Sequence, residues 1–393
     1  MLPRDHRRAA GEARAELADI FRSHGESYRR THFLPASQRK VMRAVSVCRT
    51  QELGGHLKQC DTCGFEHPSY NSCRNRHCPK CQSLAKAQWL EKQTSELLPV
   101  GYFHLVFALP HEFNRLILAH KKIGLSLLFK AVSETLLEFG QTRLKGTLGI
   151  IAVLHTWDQT LKDHFHLHCL VPAGALSSNH SRWIGARPNF LFPVTALSQV
   201  FQGKFLALLQ QACDKGKIPP ANNEIKASRQ KSWVVYAKKP FGSPQTVLDY
   251  LGRYTHRVAL SNDRLLSLDD GIVRFRWKDY ADGDRVKVMA LDAEEFLRRF
   301  LLHVVPDGFV RIRHFGLLAN RTRKAKLARC HALLAHSPAP AALPHESVQA
   351  LMLRLTGIDI ARCAVCQQGR LRRTEILAPM PDPPRLVAII DTS

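Results

Sequence analysis

Acidic residues are scarce in this chain. Asp and Glu number 33 against 57 Lys and Arg, which leaves a formal charge of +24 and a pI near 9.9. That balance argues for a polyanionic partner, nucleic acid first and an anionic membrane second. No run of about eighteen apolar residues occurs, so no membrane span is expected. There is no G-x-x-x-x-G-K-[ST] loop, which removes P-loop phosphate chemistry, and no H-E-x-x-H, which removes the common zinc-peptidase pattern. Residues 1–21 lack an uninterrupted apolar stretch ending in a small-residue cleavage site, so no secretory leader is expected. The expected location is therefore cytoplasmic, where thiols stay reduced and 11 cysteines bunched in two regions point to metal ligation rather than disulfides. No internal repeat is visible.

What is present suffices for a buried core: 393 residues, 45% of them hydrophobic. Three regions are expected: 1–98, helical and zinc-binding; 99–310, catalytic; and 311–393, a basic C-terminal region and tail. Apolar spacings of three and four predict helices around Leu17–Phe21, over Ser37–Val47, from about Glu112 to Phe139 and over Thr195–Cys213. Another is expected to lead out of the cysteine cluster through Trp89 and Leu98. Strands are expected at Tyr102–Leu109, Leu148–Trp157 and Phe165–Val171, the last two as an antiparallel hairpin, and at Lys231–Ala237, Val273–Trp277 and Val286–Ala290. Ser243-Pro244 is a cap-plus-N1 signal for a helix running through Tyr254. Asp292–Leu302 reads as a further helix, residues 336–346 as a linker and Pro379–Pro384 as a tail.

Cys60-x-x-Cys63 and Cys78-x-x-Cys81 are two knuckles fourteen residues apart. Each offers two thiolates to one tetrahedral ion, and the expectation is a structural Zn²⁺ held by Cys60, Cys63, Cys78 and Cys81. Cys48, Cys73, His56, His67 and His77 lie near enough in sequence to replace a ligand or to serve a second ion. Cys363-x-x-Cys366 is a lone knuckle, with Cys330 and His331 as candidate partners.

His164, His166 and His168 recur at spacing two, which on a strand puts them on one face. Two imidazoles there make half a site for a divalent ion. A third ligand must come from elsewhere, with His155 on the preceding strand, Asp158 and Gln159 as choices. Tyr250 and Tyr254 stack one turn apart on the expected helix, with Arg253, His256 and Arg257 interleaved. Such a pair packs equally well in a core, but the interleaved cations suit a phosphate-lined cleft. Arg311, Arg313, Arg321, Arg323, Lys324, Lys326 and Arg329 fall in one stretch without an acid, which suits DNA-backbone contact.

Taken in order, Cys60-x-x-Cys63, NSCRNRHCPKC, HTWDQTLKDHFHLHCLVP, DYLGRYTHRVALSN and GFVRIRHFGLLANR resemble the rolling-circle insertion-sequence transposases of the IS91 type, members of the HUH endonucleases. The resemblance spans roughly residues 10–330. It implies an α+β fold: an antiparallel HUH-type sheet with packed helices, a small zinc-bound module before it and a basic helical region after it. It implies that His166 and His168 ligate Mg²⁺ or Mn²⁺, with His155 as third ligand by analogy with conjugative relaxases. Tyr250 and Tyr254 become the paired nucleophiles, and Arg253 and Arg257 join the DNA-binding set. The family commonly has proline where this chain has Phe165, which leaves the ligands in place. Implied too are a 5′-phosphotyrosine intermediate, single-stranded element ends as substrate and a bacterial, nucleoid-associated location. A plasmid replication initiator or relaxase would share the chemistry. A non-catalytic zinc DNA-binding regulator and a zinc hydrolase are the readings from other classes.

Overall fold

A computed structural model of the chain describes residues 15–94, 96–241, 246–247, 252, 259–334 and 346–380. The strands are β1 (Gly55–Cys60), β2 (Glu66–Tyr70), β3 (Tyr102–Ala108), β4 (Gly146–Thr147), β5 (Gly149–Trp157), β6 (Asp163–Pro172), β7 (Gly174–Ser177), β8 (Trp183–Gly185), β9 (Val235–Phe241), β10 (Leu265–Asp269), β11 (Ile272–Asp279), β12 (Arg285–Asp292), β13 (Ile312–Gly316) and β14 (Leu371–Leu377). The helices that matter first are α1 (Leu17–Thr31), α2 (Ala36–Ser46), α3 (Pro79–Thr94), α4 (Asn114–Ala119), α5 (Lys121–Arg143), α6 (Val194–Asp214) and α7 (Asn222–Arg229). The architecture is α+β with antiparallel sheets, as expected. Apart from Thr246, Val247 and Gly252, the expected helix carrying Tyr250 and Tyr254 lies outside the described residues. So do nearly all of the expected linker and all but the start of the Pro-rich tail.

The central sheet has the order β13-β5-β6-β3-β9, and every pairing is antiparallel. β6 is the middle strand. Its sequence explains this: buried on both faces, it reads as a nearly continuous apolar run broken only by histidines. One face carries Phe165, Leu167 and Cys169 and joins Phe107, Leu154, Leu136 and Phe205 in the main core. Helices α5 and α6 cover that face. The opposite face carries Ile151, Val153 and Leu170, which pack with Leu97, Leu98, Val247, Leu317 and Leu327. A small sheet, β4-β7-β8, flanks it.

The second core does not respect the expected boundary at residue 98. Leu17, Ile20 and Phe21 of α1 and Val41 and Val45 of α2 pack with Phe275 of β11 and with Phe296 and Phe300 of the helix Ala293–Leu302. The N-terminal helices and the β10-β11-β12 sheet thus share one apolar cluster. Nor does the chain break at residue 310. β13 is an edge strand of the central sheet, and β14 pairs with β1 near the other end of the sequence. The expected basic helix is present at Arg323–Leu334. Among the described residues, no helix is long and apolar enough to cross a membrane.

Candidate metal centres and nucleic-acid interface

The register of the central sheet sets His155 of β5 opposite His166 of β6, and Val153 opposite His168. These side chains share the face away from the main core. The three imidazoles each offer a nitrogen, all within 4.8 Å of one another. His155 and His166 are buried, while His168 is partly open. His155 also stacks on Trp157, with ring centroids 4.9 Å apart. His164, the third member of the spaced trio, is exposed and outside this group. Asp158 Oδ1 accepts from the Thr160 amide and hydroxyl and from the Lys162 amide, and Asp158 joins no metal-binding group among the described residues. Gln159 Nε2 donates to the Tyr280 hydroxyl.

A carbonyl partner fixes the tautomer of His166. His166 Nδ1 lies 2.9 Å from the His164 carbonyl oxygen, so Nδ1 donates and Nε2 keeps its lone pair. His168 Nδ1 lies 2.9 Å from Nε2 of His104, a buried histidine on β3. If His168 Nδ1 donates in that contact, His168 Nε2 keeps a lone pair; if His104 Nε2 donates, His168 Nε2 carries the proton. The Nε2 atoms of His166 and His168 face each other at 3.1 Å. With His104 as donor this contact is an ordinary hydrogen bond from His168 to His166; with His168 Nδ1 as donor the two Nε2 lone pairs converge and suit a shared cation. Burial and the neighbouring histidines His168 and His164 hold His166 well below the usual imidazole range, so its ring is neutral. Neutral imidazoles fixed by outer partners are the form that ligates metals. His104 belongs to none of the sequence motifs. Its signal was present, since it alternates in phase with Tyr102 and Val106 along β3.

The cysteines divide differently from the expectation. Cys60, Cys63, Cys78 and Cys81 do not come together. Cys78 and Cys81, at the start of α3, group with Cys48 and Cys73, and Cys60 and Cys63 group with Cys363 and Cys366. The cause lies in the sheet. β1 and β2 form an excursion between Cys48 and Cys73 that carries the Cys60–Cys63 knuckle away, and the free edge of β1 then takes β14. Within the first group, Cys81 Sγ is 3.6 Å from both Cys48 Sγ and Cys73 Sγ. A tetrahedral ion with sulfur ligands at about 2.3 Å sets sulfurs about 3.8 Å apart. Hydrogen bonds to Cys73 and Cys78 pull the Cys48 thiol down, and the same contact with Cys48 pushes Cys73 up. Cys330 and His331, the partners considered for the C-terminal knuckle, sit on the helix Arg323–Leu334 and join no metal-binding group among the described residues.

Of the expected DNA-binding residues, Arg253 and Arg257 lie outside the described residues, as do Tyr250 and Tyr254. Arg313 lies over the Phe129 and Phe309 rings, 4.2 and 4.9 Å from their centroids. Burial pushes Arg311 down to about 10, with Arg76 adding to the effect. Arg323 pairs with Glu96 at 3.2 Å, while Arg321 and Lys324 are exposed. On the histidine side of the sheet, exposed Tyr236 and Lys238 of β9 stand across from Val106 and His104.

A metal-ready histidine group on an antiparallel sheet, beside a thiol-rich module on a strongly basic chain, meets its match in one class of protein. Residues 149–326 match the family described as "Putative transposase", and residues 20–109 match the family described as "Transposase zinc-binding domain". The chain is 48% identical over 388 residues to "Putative transposase y4qJ" of Sinorhizobium fredii (strain NBRC 101917 / NGR234), covering 94% of this chain and 97% of that one. It is 28% identical over 335 residues to the "Transposase for insertion sequence element IS801" of Pseudomonas savastanoi pv. phaseolicola, covering 81% and 79% of the two chains. The chain belongs to the IS91-type transposases, a family of DNA-processing proteins. No solved structure matches it.

Proposed function

We propose that this transposase nicks single-stranded DNA at the ends of its element through a 5′-phosphotyrosine and drives rolling-circle transposition. The observation that carries the reading is the convergence of His155, His166 and His168 on one face of the central sheet, where His168 is partly open. Three nitrogen donors would hold Mg²⁺ or Mn²⁺ and leave its remaining positions to water and phosphate oxygens. Once bound, the ion supplies charge stabilisation at the scissile phosphate. A phenolic oxygen of Tyr250 or Tyr254 attacks phosphorus and forms the Tyr–O–P bond. The P–O3′ bond breaks, and the phenolic proton passes by way of solvent to the departing 3′-oxygen, which becomes a hydroxyl. One phosphodiester bond replaces another, so no nucleotide energy is required. The second tyrosine accepts the second strand. Two neighbours of these tyrosines support the assignment. Val247 packs in the apolar cluster on the histidine face, and a Cβ on Gly252 would meet Lys86 and Leu90 of α3. Structural zinc sits in the thiol-rich module, with Cys48, Cys73, Cys78 and Cys81 as its ligands. Exposed Arg321, Lys324 and Lys238 hold the DNA backbone.

The test is covalent capture. Full-length protein is incubated with Mn²⁺ and single-stranded DNA from an element end, denatured, and examined for a shifted band whose attachment site is mapped by mass spectrometry. The expected adduct is on Tyr250 or Tyr254, and Tyr250→Phe with Tyr254→Phe abolishes it while DNA binding persists. An adduct on Tyr236, or one that survives in the double variant, overturns the assignment.

A further inference from the structure

We infer that Cys60, Cys63, Cys363 and Cys366 hold a second zinc ion, which clasps the C-terminal knuckle to the N-terminal hairpin and completes a ribbon built from both ends of the chain. The four thiol sulfurs lie within 4.8 Å of one another. Cys60 Sγ is 3.6 Å from Cys366 Sγ, and Cys63 Sγ is 3.7 Å from Cys363 Sγ. These separations fit the edges of a ZnS₄ tetrahedron, about 3.8 Å, and not the ~2.0 Å of a disulfide. All four cysteines are free thiols.

The two knuckles are built alike although some three hundred residues separate them. In the first, the Cys60 amide donates to the Phe65 carbonyl and the Gly64 amide to the Cys60 carbonyl. In the second, the Cys363 amide donates to the Gly369 carbonyl and the Gln367 amide to the Cys363 carbonyl. The residue after the second cysteine is left-handed in both, Gly64 at φ +73° and Gln367 at φ +59°. Gln367 is not glycine, so that conformation is held at some strain. The Gly369 amide also points at Cys366 Sγ, 3.3 Å away, which favours thiolate there. A Cβ on Gly369 would lie 2.4 Å from Cys60 Sγ, so the two knuckles meet too closely for any side chain between them.

Polar contacts seal the joint. Asp61 Oδ1 accepts from the Arg370 amide at 2.8 Å, its Oδ2 accepts from Arg372 Nε at 3.1 Å, and its own amide donates to the Arg370 carbonyl. β14 then runs along β1 from Cys60↔Leu371 to Gly55↔Leu377. The sheet β14-β1-β2 has little apolar surface of its own: its strands are mostly half-buried or exposed. A module that small and core-poor needs a metal to hold its shape. The ion therefore fixes the C-terminal segment on the N-terminal module, independently of the nicking chemistry.

Metal counting on the full-length protein tests this without any reading of activity. Native mass spectrometry under reducing conditions should find two zinc ions per chain. Cys363→Ser with Cys366→Ser should leave one, as should Cys78→Ser with Cys81→Ser, whereas Cys366→His, which keeps a ligand, should retain two. The wild-type chain gives a check that no misfolding can confuse. Cys63 is exposed and should alkylate fast as a free thiol, but should be protected until a chelator is added, while half-buried Cys213 reacts alike with and without chelator. One zinc in the wild type, or rapid alkylation of Cys63 before chelation, overturns the clasp and leaves the nicking proposal standing.

Discussion

The histidine pair on β6 is a case in which outer partners decide what the inner groups can do. The His164 carbonyl accepts the Nδ1 hydrogen bond of His166 and His104 bonds Nδ1 of His168, so the two Nε2 atoms converge at 3.1 Å. Removing a ligand and removing a partner should therefore differ in kind. His166→Ala or His168→Ala is expected to abolish Mn²⁺-dependent nicking while single-stranded DNA binding falls less than about threefold, because backbone contacts supply most affinity. His104→Phe keeps the ring and loses the hydrogen bond. Its expected effect is a Mn²⁺ affinity weakened about 10- to 100-fold, with nicking recovered at high Mn²⁺. Calorimetric titration beside a nicking assay distinguishes the two. A His104→Phe protein with unaltered Mn²⁺ affinity would leave His104 as mere packing.

The helix Ala293–Leu302 is docked on the β5–β6 turn through the residue that ends it. His303 Nε2 donates to the Leu161 carbonyl at 3.0 Å, and its Nδ1 accepts from the Thr156 hydroxyl at 3.2 Å. Burial pushes His303 down to about 4. The unfolded chain takes up a proton there near pH 6.5, the folded chain only near 4, so the unfolded state binds more protons between those values. The stability from keeping this imidazole neutral is complete above pH 6.5 and is lost as pH falls towards 4, on the order of 3 kcal/mol in all. Chemical denaturation at a series of pH values should show that loss. His303→Gln should be less stable at pH 7.5 but lose less on acidification. Parallel curves for the two proteins would remove His303 as a source of the acid sensitivity.

At the scale of the whole molecule, the formal charge of +24 is not a uniform coat. Arg311 and Arg313 are spent on packing, Arg323 on Glu96, and Lys121 on the Leu302 and Val304 carbonyls. On the proposed function the exposed remainder is expected to carry DNA affinity, which should fall steeply with salt. Neutralising Arg321 and Lys324 to Gln is expected to shallow the plot of log affinity against log salt by about 1 to 2 units, as loss of one or two phosphate contacts requires. Arg313→Gln is expected to cost stability through its lost ring contacts while leaving the slope alone. Anisotropy titrations from 50 to 300 mM salt, as an order-of-magnitude range for such binding, decide it. An unmoved slope in Arg321→Gln with Lys324→Gln would take that stretch off the DNA surface.

Much of this protein was legible before folding, because strand and helix periodicity are local. The alternation around His166 and His168 set them on one face of a strand, the apolar run around them made that strand central, and most helices fall where apolar spacing put them. The β13 strand was not legible: its half-buried, cation-bearing sequence, read locally, suggested only a basic surface, and pairing with β5 made it part of the sheet. Spacing alone left the third ligand open among His155, Asp158 and Gln159; it is register that sets His155 opposite His166, while Asp158 Oδ1 is engaged in its own turn. The grouping of thiols was beyond sequence spacing altogether. A C-x-x-C pair specifies half a tetrahedron, and the other half is whatever knuckle long-range strand pairing delivers. Nearness along the chain suggested Cys78 and Cys81 for Cys60 and Cys63. The antiparallel joining of β1 to β14, across some three hundred residues, delivered Cys363 and Cys366 instead.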